Sequence, residues 1–424
     1  MAGNHVFTEW VAPRITDLTL NKLGVASGMS RAWERDFERE FAVGDTVLVK
    51  DKQQYFVNDG FDITNNIQPI DRRYSQIIVD RAKSIAVDWD TIERALQMER
   101  SESEIEDAIL EPMADFLAQA IDSDAAEFIA DNTPNVLGVL GTDPSAFTTF
   151  DQARQRLFEL GGWEGARRRT MALTPGALGN FRRTAATSGG FYNILQSQKD
   201  ADKSFRKGFI DRISDFDVFE SMSLHRHTAS TWGGTVEVTN AGASGGTNLE
   251  PTLALTVTDA DTFTKGDKFS IASVNATNPM TRQSIGAARH FTIRASHTAV
   301  GTTATLQIWP PIIGPGSPYQ NVDALPAAGA DLTLWPGTST PNGKAGAMCI
   351  AYTDKAFALV GVDLPMPKNE EVQAKYTDPG TGLTFAIIRS FDTYKRRWIQ
   401  RLDCLYGFGR MNQAQNCSVI IAGA

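Results

Sequence analysis

The sequence predicts an α+β fold in which an all-β module interrupts a mixed body of helices and strands. Three observations predict it. Residues Ala229–Gly343 hold only 12 charged residues, against 79 in the other 309, and their short apolar runs end at turn residues. A long amphipathic helix is predicted over Ser103–Ala130. The apolar runs after Gly343 have no evident strand partner except the segment before Ala229, which indicates an insertion.

Composition excludes several classes of protein. The chain has 424 residues, enough for two or three domains with cores of their own. Its net charge of −9 disfavours a dedicated nucleic-acid binder, which usually has a basic footprint. The wide spacing of Cys349, Cys404 and Cys417 fits neither a disulfide framework nor a zinc site, so we expect buried, reduced thiols. There is no signal-peptide pattern and no apolar run of the ~20 residues that span a membrane, which predicts a soluble protein made in a reducing compartment.

The N-terminal third predicts segments with little core of their own. The first thirty residues are weakly periodic and favour an arm that lies on another element. Gly44–Lys50 alternates polar and apolar residues, and Gln76–Asp80 and Ser84–Asp88 are two further extended pieces. Together, Phe41–Asp88 predict a long polar hairpin. Because an isolated hairpin is marginally stable in water, we expect it to contact a neighbouring molecule in a multimer.

The strongest helix signal covers Ser103–Ala130. Ser103 is placed to cap the helix, and carboxylates follow in the first turn, where they favour the positive end of the helix dipole. Pro112 lies inside the pattern and predicts a kink. The predicted apolar stripe comprises Ile105, Ile109, Met113, Phe116, Leu117, Ala120, Ile121, Phe128 and Ile129.

The body and the inserted module predict further elements. A helix over Phe150–Leu160 ends at Gly161-Gly162, and Thr174-Pro175 begins a short helix. The strands predicted in the body are Arg169–Leu173, Val218–Phe219, Ala347–Tyr352, Ala356–Val362 (a strand or a short helix), Thr384–Ile388 and Trp398–Tyr406. Those predicted in the module are Thr235–Val238, Leu253–Val257, Lys268–Ile271, His290–Ala295, Ala304–Trp309 and Leu332–Trp335.

No catalytic, cofactor or metal site is predicted. His225 and His227 are spaced to share one face of a strand, as a metal pair would, but no cysteine is near and an exposed polar strand edge explains them equally. A group of aspartates at positions 211, 215 and 217 lacks the glycine and terminal glutamate of a calcium loop. No P-loop, dinucleotide fingerprint or nucleophile elbow is present. Arg167–Arg169 allow DNA contact, although a solvated turn or ion pairs between subunits account for them as well.

The order of these parts resembles the major capsid protein fold of tailed phages. VGDTVLVKDKQQYFVNDGFDI is similar to the start of that family's extended loop, and ILEPMADFLAQAIDSDAAEFIA to its spine helix. The Arg401-x-Asp403 pair and Tyr406-Gly407 resemble its closing strands. FTKGDKFSIASVN and HFTIRASHTAVGTTATLQIWPPI resemble the telokin-like β-barrel inserted in coat proteins of short-tailed phages.

The resemblance implies a domain organisation for the whole chain. The implied segments are an N-terminal arm (1–33), an extended loop (34–84), a peripheral domain with the spine helix (85–148), a first axial part (149–227), the inserted β-barrel (228–343), a second axial part (344–384) and a return to the peripheral domain (385–424).

The resemblance also implies the function. It predicts a major capsid protein, not an enzyme, that assembles as pentamers and hexamers into an icosahedral shell around double-stranded DNA, without a cofactor. The implied partners are other copies of the chain, a scaffolding protein, a portal and DNA bound without sequence specificity, but no membrane. The implied location is the virion capsid, assembled in the host bacterial cytoplasm. Lys50 and Lys52 lie in the loop where some relatives form Lys–Asn crosslinks, but the branch with the inserted barrel does not rely on that chemistry.

Eight residues are candidates for assembly or folding: Val47, Val49, Lys50, Tyr55, Ile109, Phe116, Arg401 and Asp403. We expect loss of Arg401 or Asp403 to cost ~3–5 kcal/mol if the pair is buried.

Two other classes of function remain open from the residues alone. A tail or decoration protein of a virion would explain the β module but not the long helix before it. An enzyme with an inserted β lid would need a cluster of titratable groups that the sequence does not display.

Overall fold

Two compact units make up the chain. The computed structural model describes residues 23–30, 46–55, 57, 67, 70, 73–89, 111–144, 146–163, 165–166, 168–180, 212–247, 249–258, 261–335, 343–364, 372–377, 383–411 and 414–424. The first unit combines Met1–Leu48, Gln76–Ala125 and Phe357–Gly409, and the second combines Val49–Ser75, Ala126–Ala356 and Arg410–Ala424.

The described residues form many strands and few helices. The strands are β1 Thr46–Lys50, β2 Tyr74–Trp89, β3 Asn135–Leu137, β4 Arg169–Leu173, β5 Arg212–Ile213, β6 Phe216–Glu220, β7 Arg226–Thr228, β8 Val236–Val238, β9 Gly245–Gly246, β10 Pro251–Val257, β11 Thr262–Phe263, β12 Lys268–Thr277, β13 Ser284–Ile293, β14 His297–Thr298, β15 Thr303–Trp309, β16 Leu332–Leu334, β17 Ala345–Thr353, β18 Phe357–Val362, β19 Val372–Thr377, β20 Thr384–Asp392, β21 Arg397–Arg410 and β22 Ser418–Ala422. The α-helices with full bounds are α1 Glu111–Asn132, α2 Phe147–Glu159 and α3 Ala414–Cys417, residues 175–180 are also helical, and Ala26–Gly28 form a 3-10 helix. No helix in these residues is long and apolar enough to cross a membrane.

The sheet of the first unit has the order β1-β2-β21-β20-β19, with β18 also paired to β21. Strand β2 pairs antiparallel with β21 along its length, from Ile77 opposite Gly409 to Trp89 opposite Trp398. The two extended pieces predicted from the sequence are therefore one strand. A register shift between Ile78 and Arg81 falls at the end of the first piece, which is how a β-bulge interrupts the alternation of side chains.

Helix α1 buries one stripe of its apolar residues, as predicted. Met113, Leu117, Ile121 and Ile129 are buried, but Phe116 is 68% exposed, so its assignment to the buried stripe is wrong. Phe116 precedes Leu117 by one residue, about 100° around the helix, which turns it out of the stripe. The predicted cap at Ser103, together with Ile105 and Ile109, lies outside the described residues, so the kink at Pro112 stays a prediction.

A short part of the N-terminal arm is anchored in the first unit. The buried carboxylate of Asp122 accepts hydrogen bonds from the backbone N–H groups of Gly24 (2.7 Å) and Ala26 (2.9 Å). Burial raises the pKa of Asp122 above its ordinary value, although the backbone hydrogen bonds act to lower it. Ser30 then forms a parallel bridge with Ala358 at β18. The arm residues 1–22 and 31–33 lie outside the described residues.

A second carboxylate of α1 forms ion pairs and a hydrogen bond with the sheet of this unit. Asp124 lies 3.2 Å from Arg81 and 3.0 Å from Lys83, both on β2, and accepts a 2.8 Å hydrogen bond from the Tyr406 hydroxyl. Burial acts to raise the pKa of Asp124, but the hydrogen bonds from Lys83 and Tyr406 and the charge of Arg81 outweigh it, so the pKa lies below its usual value. Helix α1 is therefore fixed to the sheet by an ionised carboxylate.

In the second unit, the sheet of the body has the order β3-β22-β17-β4-β6-β5, with β7 also paired to β17. The pairs β22–β3 and β4–β6 are parallel. Helix α2 ends where the sequence predicts, at Gly161, whose φ of +71° suits glycine. Thr174 caps the helical residues 175–180, because its side-chain oxygen accepts the N–H of Ala177 at 3.1 Å. The sequence predicts a mixed body of helices and strands, whereas the described residues here are mostly strand.

The inserted segment forms a sheet that closes on itself. Its order is β16-β12-β13-β15-β10-β8, and β9 pairs with β10. Glu237 of β8 bridges Asp331, the residue before β16, and the backbone of Val238 makes hydrogen bonds of 2.9 and 2.8 Å with Ala330 and Gly329. All six apolar runs predicted in this segment contribute strands. Its core is continuous with that of the body, through Ala130, Val136, Leu140, Met348, Ile420 and Ala422.

We expect Asp124→Asn to lower the free energy of unfolding at pH 7 by about 1–3 kcal/mol, because the cations Arg81 and Lys83 lose their counter-charge. The pKa of Asp124 is lowered on folding, so this stabilisation is present above the unfolded value of 3.8 and is lost as the pH falls through the folded value. Urea unfolding of both proteins between pH 2 and pH 7 tests this. Asp115→Asn on the same helix controls for the loss of one negative charge. The prediction is contradicted if the difference in the free energy of unfolding between wild type and Asp124→Asn stays the same at low pH.

Candidate assembly elements

The loop between β1 and β2 exposes apolar side chains to solvent. Within β1, Val47 is half-buried, Val49 is buried and Lys50 is exposed, as the predicted alternation requires. Beyond β1, the described residues Tyr55, Val57, Ile67 and Ile70 are more than half exposed, with Val57 at 94%. These exposed apolar side chains make the loop a candidate for an interaction surface. The turn predicted at 58–60 lies outside the described residues.

The two legs of this loop are joined by hydrogen bonds where they leave the strands. The N–H of Asp51 donates a 3.0 Å hydrogen bond to the carbonyl oxygen of Arg73. The hydroxyl of Ser75 donates to the Asp51 carboxylate at 2.5 Å. Burial raises the pKa of Asp51, although Ser75 and Arg73 act to lower it. The base of the loop is thus a defined piece of structure.

The pair Arg401 and Asp403 on β21 forms as predicted but is not buried. Arg401 Nε donates to Asp403 Oδ1 at 2.7 Å, and the Arg401 side chain is 56% exposed, against 14% for Asp403. The condition for the larger cost, a buried pair, is therefore not met by the arginine. Neighbouring strand positions point to opposite faces, so residues 401 and 403 share a face, and on this face water screens the arginine.

A polar junction between the inserted sheet and the body was not predicted from the sequence. We define it by Lys268, Asp267, His227, Arg289 and Arg156. Lys268 of β12 is fully buried, and its Nζ donates to the carbonyl oxygen of Ala130 and to the Thr292 hydroxyl, both at 2.6 Å. Burial lowers the pKa of Lys268 to about 7, although nearby aspartates act to raise it.

Beside Lys268, the buried carboxylate of Asp267 joins the insert to the strand that precedes it. His227 Nε2 hydrogen-bonds to Asp267 Oδ1 at 2.7 Å, and the Ser230 hydroxyl donates to the other carboxylate oxygen. His227 is buried, so the explanation of His225 and His227 as an exposed polar edge is wrong for His227. In the described residues no cluster of three His, Cys, Asp or Glu side chains has the arrangement of a metal site.

The third part of the polar junction carries positive charge. Buried Arg289 of β13 donates from Nη2 to Gln415 Oε1 at 3.0 Å, and burial lowers its pKa to about 9. Arg156 of α2 donates to the carbonyl oxygen of Ala288 at 2.7 Å. Burial, together with these two guanidinium groups, lowers the pKa of His290 to about 3, so it is neutral. The insert is therefore fixed by specific hydrogen bonds as well as by apolar contact.

The remaining sequence candidates have structural roles. Cys349, Cys404 and Cys417 are buried and free, as predicted, and burial raises the pKa of each thiol. Arg169 stacks on the Trp163 ring, with the guanidinium carbon 4.0 Å from the ring centroid. Ile109 lies outside the described residues.

Lys268 gives the stability of the chain a predicted dependence on alkaline pH. Its folded pKa of about 7 lies below the unfolded 10.5, so the unfolded chain binds more protons between these values, and stability rises with pH across that interval. The rise is on the order of 1.4 kcal/mol per pH unit. Lys268→Met removes this rise, which urea unfolding from pH 6 to pH 10 measures. Lys344→Met, at an exposed lysine of the same unit, is the control. Parallel pH profiles for wild type and Lys268→Met contradict the prediction.

We expect Arg401→Ala to lower the free energy of unfolding by less than about 1 kcal/mol, because an ion pair with an exposed arginine contributes little. Urea unfolding of this variant and of Asp403→Asn at low and high salt measures the effect. A loss above about 3 kcal/mol in either variant would show that the pair is desolvated.

Comparison with known proteins identifies the family. A family model described as P22 coat protein - gene protein 5 matches residues 44–414. No curated protein matches the chain. A solved structure described as Mycobacterium phage Che8 is 13% identical, covers 94% of this chain and 90% of its own, and has a TM-score of 0.46. The capsid of Ralstonia phage GP4 is 10% identical, covers 90% of this chain and 85% of its own, and has a TM-score of 0.41.

The capsid structure of the cyanophage P-SCSP1u is 9% identical, covers 94% of this chain and 86% of its own, and has a TM-score of 0.39. The family model spans most of the chain. The chain belongs to the P22 coat protein family and is a major capsid protein of a tailed phage, a structural protein of the virion capsid and not an enzyme.

Proposed function

We propose that this chain assembles as pentamers and hexamers into an icosahedral shell that encloses double-stranded DNA. The observation that supports it is the exposed apolar surface of the loop between β1 and β2, formed by Tyr55, Val57, Ile67 and Ile70. In a single chain this surface is in contact with water, which is unfavourable for each side chain. A second copy of the chain removes it from water, and a closed shell repeats that contact at every subunit.

The inserted segment, residues 228–343, is a telokin-like β-barrel that stabilises the subunit and contacts its neighbours. The closure of its sheet between Glu237 and Asp331 supports a barrel. The buried hydrogen bonds of Lys268 and Arg289 support a stabilising role within the subunit. The other segments follow the predicted boundaries of arm, extended loop, peripheral domain and axial domain.

The assembly pathway uses a scaffolding protein and a portal in the host bacterial cytoplasm. DNA is enclosed without sequence specificity, which agrees with a chain of net charge −9. Electron microscopy and sedimentation velocity of the purified chain test self-assembly directly. Closed particles or capsomer rings support the proposal. A chain that stays monomeric at high concentration, both alone and with the scaffolding protein of the same phage, contradicts it.

Deletion of Gly44–Arg73 tests the role of the loop. We expect a soluble, partly folded subunit that does not close shells, because most of the core of the body and the insert remains while the exposed apolar contact is lost. A finer variant is Val57→Ser/Ile67→Ser/Ile70→Ser, in which each substitution removes about 1.5–3 kcal/mol of burial in the assembled state.

We expect this triple variant to raise the protein concentration needed for assembly more than tenfold, since about 1.4 kcal/mol corresponds to a factor of ten. Light scattering against protein concentration measures it. Val300→Ser, which changes an exposed apolar residue of the insert, is the matched control.

If the variant that lacks Gly44–Arg73 forms normal particles, the loop does not form the contact between copies.

A further inference from the structure

We infer that the inserted domain of each subunit holds the base of its own extended loop, and so prepares that loop for contact with a neighbouring copy. This inference rests on the proposed function of the loop. Val49–Ser75 belong to the same compact unit as the insert. We call the contacts between them the loop clamp and define it by Arg73 and Tyr55 on the loop and by Tyr319 and Arg282 on the insert.

The first contact of the loop clamp is on the returning leg of the loop. The guanidinium carbon of Arg73 lies 3.8 Å from the centroid of the Tyr319 ring. Tyr319 is buried, so its ring has a fixed orientation. A guanidinium group stacked on an aromatic face is attracted by the ring and restricted to one plane. The returning leg is therefore held at a defined place on the insert.

The second contact is on the outgoing leg. Arg282 Nη2 donates a 2.8 Å hydrogen bond to the carbonyl oxygen of Tyr55. This bond uses the backbone of Tyr55, so it fixes the chain and leaves the Tyr55 side chain exposed. One contact alone would allow the loop to pivot, whereas a contact on each leg fixes its orientation on the insert.

A small polar cavity lies between the loop base and the insert. Its lining includes Asp51 and Ser75 from the loop, and Trp309 and Arg410. The guanidinium carbon of Arg410 lies 3.5 Å from the centroid of the Trp309 ring. Trp309 Nε1 and Arg410 Nη1 are buried without a hydrogen-bond partner. The cavity volume of about 10 Å³ is enough for one water molecule. A water molecule that accepts hydrogen bonds from these donors would bridge the loop base and the insert.

The consequence concerns the cost of assembly. A free loop loses conformational entropy when it contacts a partner, and that loss weakens binding. A loop whose base is already fixed loses less, so its exposed residues Val57, Ile67 and Ile70 contact the neighbouring copy at lower concentration. The loop clamp therefore acts on assembly through the loop, and of its contacts only Tyr55 also belongs to the exposed surface, through its side chain.

Hydrogen exchange of the unassembled full-length subunit tests the loop clamp. We expect Arg73→Gln and Tyr319→Ala each to speed amide exchange at residues 49–55 and 73–75 at least tenfold. Exchange in β12 and β13, in the core of the insert, should stay unchanged. Tyr319→Phe keeps the ring and should behave as wild type. Arg73 lies on the loop, so Arg73→Gln remains informative if Tyr319→Ala fails to fold.

Two outcomes would overturn the inference. One is unchanged exchange at 49–55 and 73–75 in Arg73→Gln. The other is faster exchange in the loop with assembly at the same protein concentration as wild type, since the loop clamp then has no effect on assembly. If the wild-type chain forms no shells, the proposed function fails, while the exchange measurement still shows whether the loop clamp holds the loop.

Discussion

Burial of polar and charged side chains between the insert and the body is the constraint on which the second unit depends. Lys268 is fully buried, and its amine has partners only if the end of α1, β12 and β13 meet in one arrangement. An apolar contact tolerates small shifts, whereas a buried amine without its acceptors is strongly destabilising. Asp267 and Arg289 impose the same condition at two further points. The apolar core supplies much of the driving force, and these groups select one position of the insert.

The first unit uses the same principle on a smaller scale. Helix α1 has its apolar stripe on one side, but two carboxylates decide what it contacts. Asp122 accepts backbone hydrogen bonds from the arm, and Asp124 accepts from the sheet strands β2 and β21. Within one turn of α1, two carboxylates thus bind two different segments, the arm and the sheet. The sequence predicts little core for the N-terminal arm, and the hydrogen bonds to Asp122 hold the described part of the arm, residues 23–30, against the helix.

The sequence predicted those elements whose signal is local. Arg169–Leu173 is an apolar run of the right length, and Thr174-Pro175 carries a helix cap in two residues, so both agree with the structure. Phe116 was misplaced because a stripe assigned by spacings of three and four includes residues at its edge, where one position decides burial. The burial of Arg401 stayed open at the sequence level, because an Arg-x-Asp pattern fixes a shared face but not which face is covered. The polar junction could not be predicted, because Lys268 meets a backbone carbonyl 138 residues away, and a carbonyl has no sequence signature.

The strands that flank the insert are partners of each other. Thr228 at the end of β7 lies opposite Ala345 at the start of β17, so the chain enters and leaves the insert at adjacent positions, about 5 Å apart. In geometric terms, the insert occupies the place of an ordinary hairpin turn. An insertion at this position leaves the sheet of the body unbroken. In the opposite step, a short turn would replace the insert and connect β7 directly to β17. The reverse step is no longer simple, since it would expose the carbonyl group of Ala130 and the apolar side chains of Met348 and Ile420, which now belong to a shared core. The surface that the insert covers therefore makes the fold of the body depend on it.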